Sequence, residues 1–195
     1  GNKCFMAGPL MGITVLDFSW GMPGAVTGLV LSDFGAEVVK VEPPTGDPFR
    51  CDPAWLVWNR GKKGVVLDLK TAQGQEHGLA LAAQADVLIE TFRPGVMQRL
   101  GMDYAALSRI NPRLVYAALS GFGQTGPAAG LSAYAPIIHA ASGWELTKMM
   151  SEPTLTKPLR TNDGTADFMS ATHAMAAICA ALFRRERTGE GERLD

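Results

Sequence analysis

The amino-acid sequence predicts an α/β domain with a mainly parallel β-sheet. Short segments rich in β-branched residues alternate with helical segments up to Ser120, and glycine or proline residues separate them. Strands that alternate with helices form parallel sheets with right-handed crossovers. The length of 195 residues suffices for a single domain with its own hydrophobic core.

Five segments predict strands because each is a short run rich in β-branched, aromatic or other apolar residues. Glycine or proline lies beside each run, so the strands end where the chain turns. In chain order, the predicted strands are residues 13–18, 37–42, 64–69, 86–90 and 114–119.

The segments between these strands predict helices. Pro23 suits the start of the first helix and Gly35 suits its end. Asp103 can cap the fourth helix, which Asn111 and Pro112 end. The predicted helices are residues 25–33, 71–83, 96–100 and 103–110.

The sequence changes character after Ser120. Residues 121–127 (GFGQTGP) predict a loop, and residues 144–159, which include Pro153 and Pro158, predict an irregular segment. Helices are predicted at 134–142 and 166–185, and residues 193–195 begin a further strand. Helical spacing predicts one buried stripe on the last helix, formed by Phe168, Thr172, Met175, Cys179 and Leu182.

Composition and charge exclude several classes of protein. Eighteen Lys and Arg residues against nineteen Asp and Glu residues give a net charge of −1, which argues against nucleic-acid binding. A hydrophobic content of 47% is too high for intrinsic disorder. No uninterrupted apolar run of about 18 residues occurs, so a membrane span is not expected.

The three cysteines are Cys4, Cys51 and Cys179, and they are far apart in the sequence. Their spacing matches no zinc site, so no metal is expected. Reduced thiols and a cytoplasmic location are the expectation.

The turn at residues 21–28 follows a predicted strand and opens a helix, and Glu42 ends the next strand. This arrangement is typical of nucleotide-binding βαβ units, in which a helix N-terminus meets phosphate. Because Gly21, Gly24 and Gly28 do not form GxGxxG, an ordinary βαβ turn with a surface glutamate remains the alternative.

Two aspartates, Asp163 and Asp167, lie at the start of the last helix. Either one can serve as a helix cap or, in a dry site, as a nucleophile. His139 and His173 lie in apolar helical contexts without a metal partner at helical spacing, so structural roles are expected for both.

In their order and spacing, the motifs resemble the family III coenzyme A transferases. These include formyl-CoA:oxalate and carnitine CoA-transferases and the related α-methylacyl-CoA racemases. The resemblance runs from about Pro9 to Asp195. It is carried by residues 9–19 (PLMGITVLDFS), 33–50 (DFGAEVVKVEPPTGDPFR), 59–63 (NRGKK), 67–70 (LDLK), 85–95 (ADVLIETFRPG), 120–127 (SGFGQTGP) and 185–191 (RERTGEG).

The resemblance implies a Rossmann-like large domain with helices flanking the sheet. Residues 1–8 are then expected to be a leader or residues foreign to the natural protein, and residues 9–195 the N-terminal part of that domain. Since family chains are about twice as long, a truncated chain is expected. The full-length protein would form an interlocked homodimer.

The resemblance also implies the chemistry. Asp167, rather than Asp163, matches the family nucleophile, which attacks an acyl-CoA and passes coenzyme A to a carboxylic acid acceptor. Coenzyme A enters as a substrate, and no other cofactor is implied. The coenzyme A positions carried over are Gly21, Met22, Pro23, Leu67, Lys70, Thr91, Phe92, Arg93, Arg99 and Tyr134.

Two positions bear on which family reaction to expect. Met22 and Pro43 replace a glutamine and an arginine of formyl-CoA transferase, which argues against oxalate–formate specificity. Tyr134 stands where racemases have a histidine, and a tyrosine of pKa about 10 is a poor base, so transfer is favoured over racemisation. His139, one helical turn away, keeps racemisation open. A nucleotide-binding dehydrogenase domain and a non-catalytic coenzyme A-binding module are the remaining alternatives.

Overall fold

Six parallel strands form one sheet, which lies between two groups of helices. The computed structural model describes residues 8–158 and 163–195. In chain order the elements are β1 (Thr14–Asp17), α1 (Met22–Asp33), β2 (Glu37–Glu42), α2 (Ala54–Trp58), β3 (Lys63–Val66), α3 (Ala72–Ala82), β4 (Val87–Glu90), α4 (Val96–Arg99), α5 (Tyr104–Ile110), β5 (Val115–Ala118), α6 (Ala135–Ser142), α7 (Trp144–Ser151), α8 (Thr165–Thr188) and β6 (Glu192–Leu194).

The strand order is β3-β2-β1-β4-β5-β6, and every neighbouring pair is parallel. At the centre of the sheet, Val15 of β1 stands opposite Val38 of β2 and Val87 of β4. From β1 the sheet grows through β2 and β3 on one side, and from β4 onward it grows on the other side of β1. The topological switch point therefore lies between β1 and β4. The predicted α/β, Rossmann-like class is therefore confirmed, and the sheet is entirely parallel.

Successive residues of each strand face opposite sides of the sheet, and this alternation creates two apolar layers. On one side, Leu16 and Leu88 pack with Leu107 of α5. On the other side, Val15 packs with Leu31 of α1 and Ile178 of α8. Both faces of the central strands are buried, which explains their nearly continuous apolar sequences.

The caps form where the residue types predict them. The Thr71 side chain accepts from the Gly74 N–H, and the Asp103 carboxylate accepts from the Ala106 N–H. The first helix begins at Met22 rather than at residue 25, because Pro23 lies inside its first turn.

Two helices were not predicted. Helix α7 occupies part of the segment predicted to be irregular, and it ends at Ser151, before Pro153. Gly143, with φ of 78°, ends α6 and opens α7, so the chain turns without losing helical structure on either side. Helix α2 follows Pro53 and has five residues. Leu159, the end of the predicted irregular segment, lies outside the described residues.

The predicted buried stripe of α8 is wrong for most of its members. Phe168 and Thr172 are exposed, Met175 and Cys179 are half-buried, and only Leu182 is buried. Small alanine side chains let α8 pack closely against α1, where the Thr27 hydroxyl donates to the Ala171 carbonyl at 3.4 Å. The buried residues of α8 are Ala171, Ile178, Ala181, Leu182 and Arg185.

Helix α8 is, by length and composition alone, apolar enough to cross a membrane. This is weak evidence, because core helices of water-soluble proteins satisfy the same criterion. Arg185, near the end of the helix, pairs with Asp86 at 2.9 Å.

Candidate active site

A cavity of about 1310 Å³ opens at the carboxyl ends of the strands. Segments that follow β1, β2, β3, β4 and β5 line it, together with the first residues of α6 and α8. Ligands of open parallel sheets bind outside the carboxyl ends of the strands near the topological switch point. The cavity is therefore the candidate active site.

The structure brings all the predicted site residues to this one cavity, although they come from distant parts of the chain. Its lining includes Gly21, Met22, Pro23, Leu67, Lys70, Thr91, Phe92, Arg93, Arg99, Tyr134 and Asp167.

The turn after β1 is tied to the turn after β4. The Trp20 N–H donates to the Thr91 hydroxyl oxygen, and that hydroxyl donates to the Trp20 carbonyl, both at 2.9 Å. The Trp20 and Phe92 rings meet edge to face with centroids 5.1 Å apart. Gly24 makes this approach possible, since a Cβ there would lie 2.9 Å from the methyl carbon of Thr91.

Below this turn lies a buried cluster of charges. Asp17 pairs with Lys62 at 2.7 Å and with Lys40 at 3.7 Å, and Lys40 also pairs with Asp47 at 3.3 Å. The Asp17 carboxylate further accepts from the Ser19 N–H at 2.9 Å. The cluster thus fixes the first residues of the turn to the sheet beneath them.

Among the described residues, three cationic side chains line the cavity, and they are Lys70, Arg93 and Arg99. The Arg93 guanidinium also donates to the Ser132 hydroxyl. Together these charges favour phosphate groups or another anion on this side of the cavity.

Asp167 lies in the first turn of α8 and lines the same cavity as the turn after β1. The two segments are in close contact, because a Cβ at Gly164 would lie 2.8 Å from the Met22 sulfur. Burial raises the pKa of Asp167. A partly desolvated carboxylate of raised pKa is a better nucleophile than one in water.

Sequence reasoning missed Phe49, which lines the cavity. The Phe49 ring lies against Gly21, where a Cβ would be 3.4 Å from it. Aromatic residues that follow a strand end were the available signal, since Phe49 follows β2 within a turn-rich segment.

Comparison with protein-family models matches the chain to CoA-transferase family III over residues 10–195. The chain belongs to this family. It is 39% identical over 197 residues to the acetyl-CoA:oxalate CoA-transferase of Acetobacter aceti, with 96% of this chain and 50% of the relative covered. It is 35% identical over 203 residues to the succinate–glutarate CoA-transferase of Agrobacterium fabrum, with the same coverage.

Solved structures agree with the family assignment. A crystal structure of a CAIB/BAIF family protein from Brucella suis matches this family III chain with a TM-score of 0.91 at 35% identity. The match covers 97% of this chain and 53% of that one. The chain spans about half the length of the curated relatives it matches.

Within the family III cavity, the two aspartates of the α8 start differ in environment. Lys148 donates to the Asp163 carboxylate and holds its pKa well below the usual value. The same carboxylate accepts from the Thr165 N–H at 3.3 Å. Asp163 is therefore engaged in holding the helix start, whereas burial makes Asp167 more basic.

The histidine that kept racemisation open is buried outside the described lining of the cavity. His139 is 2% exposed, and its Nε2 accepts from the Ala166 N–H at 3.2 Å. Tyr134 and Ile138 of the same region line the cavity, and His139 is not among the described residues that do so. His139 thus contacts the backbone of α8 rather than the cavity. Among residues 8–158 and 163–195, no group of three or more His, Cys, Asp or Glu side chains is placed to hold a metal.

Proposed function

We propose that the protein is an acyl-CoA:carboxylate CoA-transferase that uses Asp167 as its nucleophile. The observation that carries the proposal is the position of Asp167, whose carboxylate shares one cavity with every residue proposed to bind coenzyme A. The relatives support transfer between acyl-CoA and carboxylate substrates, because those quoted above are named CoA-transferases.

The proposed reaction conserves atoms and requires no water. The Asp167 carboxylate attacks the thioester carbonyl of acyl-CoA, forming a C–O bond, and the C–S bond breaks to release CoA thiolate. The thiolate then attacks the aspartyl carbonyl of this mixed anhydride, which forms an aspartyl-CoA thioester and releases the donor carboxylate. The acceptor carboxylate attacks the carbonyl of that thioester, which forms a second mixed anhydride and releases CoA thiolate. The thiolate then attacks the acceptor-derived carbonyl of this anhydride, which forms the new acyl-CoA and frees the Asp167 carboxylate.

The energetics of these steps suit the site. An anhydride is about as activated as a thioester, so positioning and exclusion of water supply most of the catalysis. The N-terminal end of the 24-residue helix α8 stabilises the carboxylate as an anion before attack. Lys70, Arg93 and Arg99 are proposed to bind the phosphates of coenzyme A, and the turn at Gly21, Met22 and Pro23 to contact its remainder.

Racemisation is the second candidate reaction, and the surroundings of His139 argue against it. A racemase needs a second group that exchanges the α-proton in the cavity, and the Ala166 N–H occupies Nε2 of His139. Tyr134, which is 66% exposed, is a weak base at neutral pH.

We further propose that the protein acts in the cytoplasm as a homodimer. Exposed apolar side chains on α7 and α8 favour an interface with a second subunit. Met150 is 77% exposed and Phe183 is 63% exposed.

The proposal is tested on the product of the complete gene by mass spectrometry after incubation with an acyl-CoA. Trypsin releases Asp163 and Asp167 on one peptide, residues 161–184, so variants locate the adduct. We expect the mass of coenzyme A on this peptide in the wild-type protein and in Asp163→Asn, and its loss in Asp167→Asn. An adduct or full activity in Asp167→Asn would exclude Asp167 as the nucleophile. Exchange of the α-proton into deuterated water without transfer of coenzyme A would indicate a racemase.

A further inference from the structure

His139 joins α6 to the first turn of α8, immediately before Asp167. The ring is buried, and its Nε2 accepts a hydrogen bond from the Ala166 N–H at 3.2 Å. Asp167 is the next residue along the chain. The histidine therefore contacts the backbone that carries the proposed nucleophile without lining the cavity itself.

The first turn of a helix has N–H groups with no acceptor inside the helix, and a side chain at the N-cap position usually accepts one of them. In α8 the N-cap position is Gly164, which has no side chain. Asp163 accepts from the Thr165 N–H, and His139 accepts from the next N–H, that of Ala166. A side chain from another helix thus performs the capping that the glycine cannot.

The hydrogen bond also fixes the tautomer of the imidazole. Because Nε2 accepts, the proton of the neutral ring lies on Nδ1. A carboxylate oxygen of Glu145, on α7, lies 3.6 Å from Nδ1. A carboxylate oxygen of Asp163 lies at the same distance, 3.6 Å, from Nε2, so carboxylates face both nitrogens of the ring. The capping bond itself requires that the proton lie on Nδ1.

We propose that His139 is a positioning residue that caps the first turn of α8 from outside the helix. The cap holds Asp167 at the geometry needed for attack on the thioester, so the inference rests on the proposed function. The cap is needed at this point because Gly164 allows the close approach of Met22 and leaves the helix start without a side chain of its own. Displacement of a reacting group by about 1 Å slows reactions by roughly 10²-fold. The capping bond is therefore expected to affect the rate of covalent-adduct formation more than the binding of coenzyme A.

Glutamine and asparagine variants test the inference because they differ by one carbon. The amide oxygen of glutamine reaches the position of Nε2, whereas that of asparagine reaches only the position of Nδ1. His139→Gln should keep the cap on Ala166, and His139→Asn should lose it while keeping a polar group near Glu145. Both variants are made in the product of the complete gene.

Amide exchange resolved to Ala166 and single-turnover formation of the aspartyl adduct are the two readouts. In His139→Asn we expect the Ala166 amide to exchange at least about tenfold faster than in the wild type. The adduct should form roughly 10- to 100-fold more slowly, and the Kd of coenzyme A should change by less than about threefold. In His139→Gln both rates should return to within about threefold of the wild-type values. Equal Ala166 exchange in the wild type and His139→Asn would overturn the inference.

A second variant keeps the test decisive if asparagine impairs folding. His139→Met fills the buried volume without offering a comparable acceptor, so it should behave as expected for asparagine, and behaviour like that of glutamine would contradict the inference. The exchange measurement does not depend on activity. If the wild-type protein forms no adduct on Asp167, the proposed function fails, and the Ala166 exchange rates still decide whether His139 caps the helix.

Discussion

Lys62 places its ammonium group 2.7 Å from the carboxylate of Asp17, although both side chains are almost completely buried. The same ammonium donates to the Ala25 carbonyl and to the Asn59 side-chain oxygen, each at 2.9 Å. Burial alone would raise the pKa of Asp17, but Lys62 and Lys40 outweigh it and the pKa is lowered. The ion pair thus stabilises an anion directly below the turn that enters the cavity.

Removal of the Lys62 charge should destabilise the protein strongly. Lys62→Met leaves Asp17 buried with a less complete set of partners, which typically costs about 3–5 kcal/mol. Urea unfolding of the wild type and the variant measures this free energy. The neighbouring Lys63 is the control, because it is 67% exposed and its pair with Glu37 lies at the surface. Lys63→Met should change stability by less than about 1 kcal/mol, and equal effects of the two substitutions would contradict the assigned role of the buried pair.

The pH dependence of stability should contain a contribution from Glu90. Burial raises the pKa of this carboxyl from 4.5 to about 7, against the hydrogen bond that it accepts from the Phe92 N–H. Between these two values the folded protein holds a proton that the unfolded chain has released, so this contribution to stability falls as pH rises from 4.5 to about 7. It is fully present below pH 4.5 and lost above about pH 7.

Glu90→Gln removes this titration while retaining an acceptor for the Phe92 N–H. The difference in unfolding free energy between the wild type and Glu90→Gln should change by about 3 kcal/mol across this range, since one pKa unit corresponds to about 1.4 kcal/mol. Urea unfolding at a series of pH values measures the difference. A constant difference would show that Glu90 titrates near its ordinary value in the folded protein.

The sheet could be predicted because its signals are local, whereas the residues around the cavity were identified through the resemblance to the family. Each strand is a short apolar run, and residues after parallel strands gather at one edge of the sheet. The packing of α8 was not predictable in this way, because alanines such as Ala171 are buried by close approach to α1 rather than by their own hydrophobicity. The contact of His139 with Ala166 depends on the relative placement of α6 and α8, which the spacing of residues within either helix does not determine.

Gly24 should be intolerant of even a small side chain. A Cβ at this position would lie 2.1 Å from the Ser19 Cβ and 2.9 Å from the Thr91 methyl carbon, so Gly24→Ala must push the two turns apart. Overpacking of this kind typically costs about 1–3 kcal/mol. Gly130→Ala is the control, because a Cβ there meets nothing within 4 Å.

Thermal unfolding with and without coenzyme A measures both consequences of Gly24→Ala. We expect a lower Tm and a smaller rise on addition of coenzyme A than in the wild type, since Trp20 and Thr91 would no longer hold the two turns together. Gly130→Ala should retain the wild-type response to coenzyme A. Undiminished protection of Gly24→Ala by coenzyme A would show that the contact between the turns is not needed for binding.

Arg99 should contribute to coenzyme A affinity through its charge. It lies in the last turn of α4 and lines the cavity together with Lys70 and Arg93. Hydrogen bonds between charged groups contribute about 1.5–3 kcal/mol, so Arg99→Gln should weaken coenzyme A binding by at least about tenfold. Calorimetric titration at several salt concentrations measures the loss, which should be largest at low ionic strength because salt screens the charge in the wild type.

The control for Arg99 is Arg109, an exposed arginine of α5 that does not line the cavity. Arg109→Gln alters the net charge of the protein by the same amount, so it reports any general electrostatic effect on an anionic ligand. We expect its affinity for coenzyme A to stay within about twofold of the wild-type value, because exposed charges at a distance are screened. If the two variants weaken binding equally and with the same salt dependence, Arg99 acts only through net charge, and the phosphates of coenzyme A must bind elsewhere in the cavity.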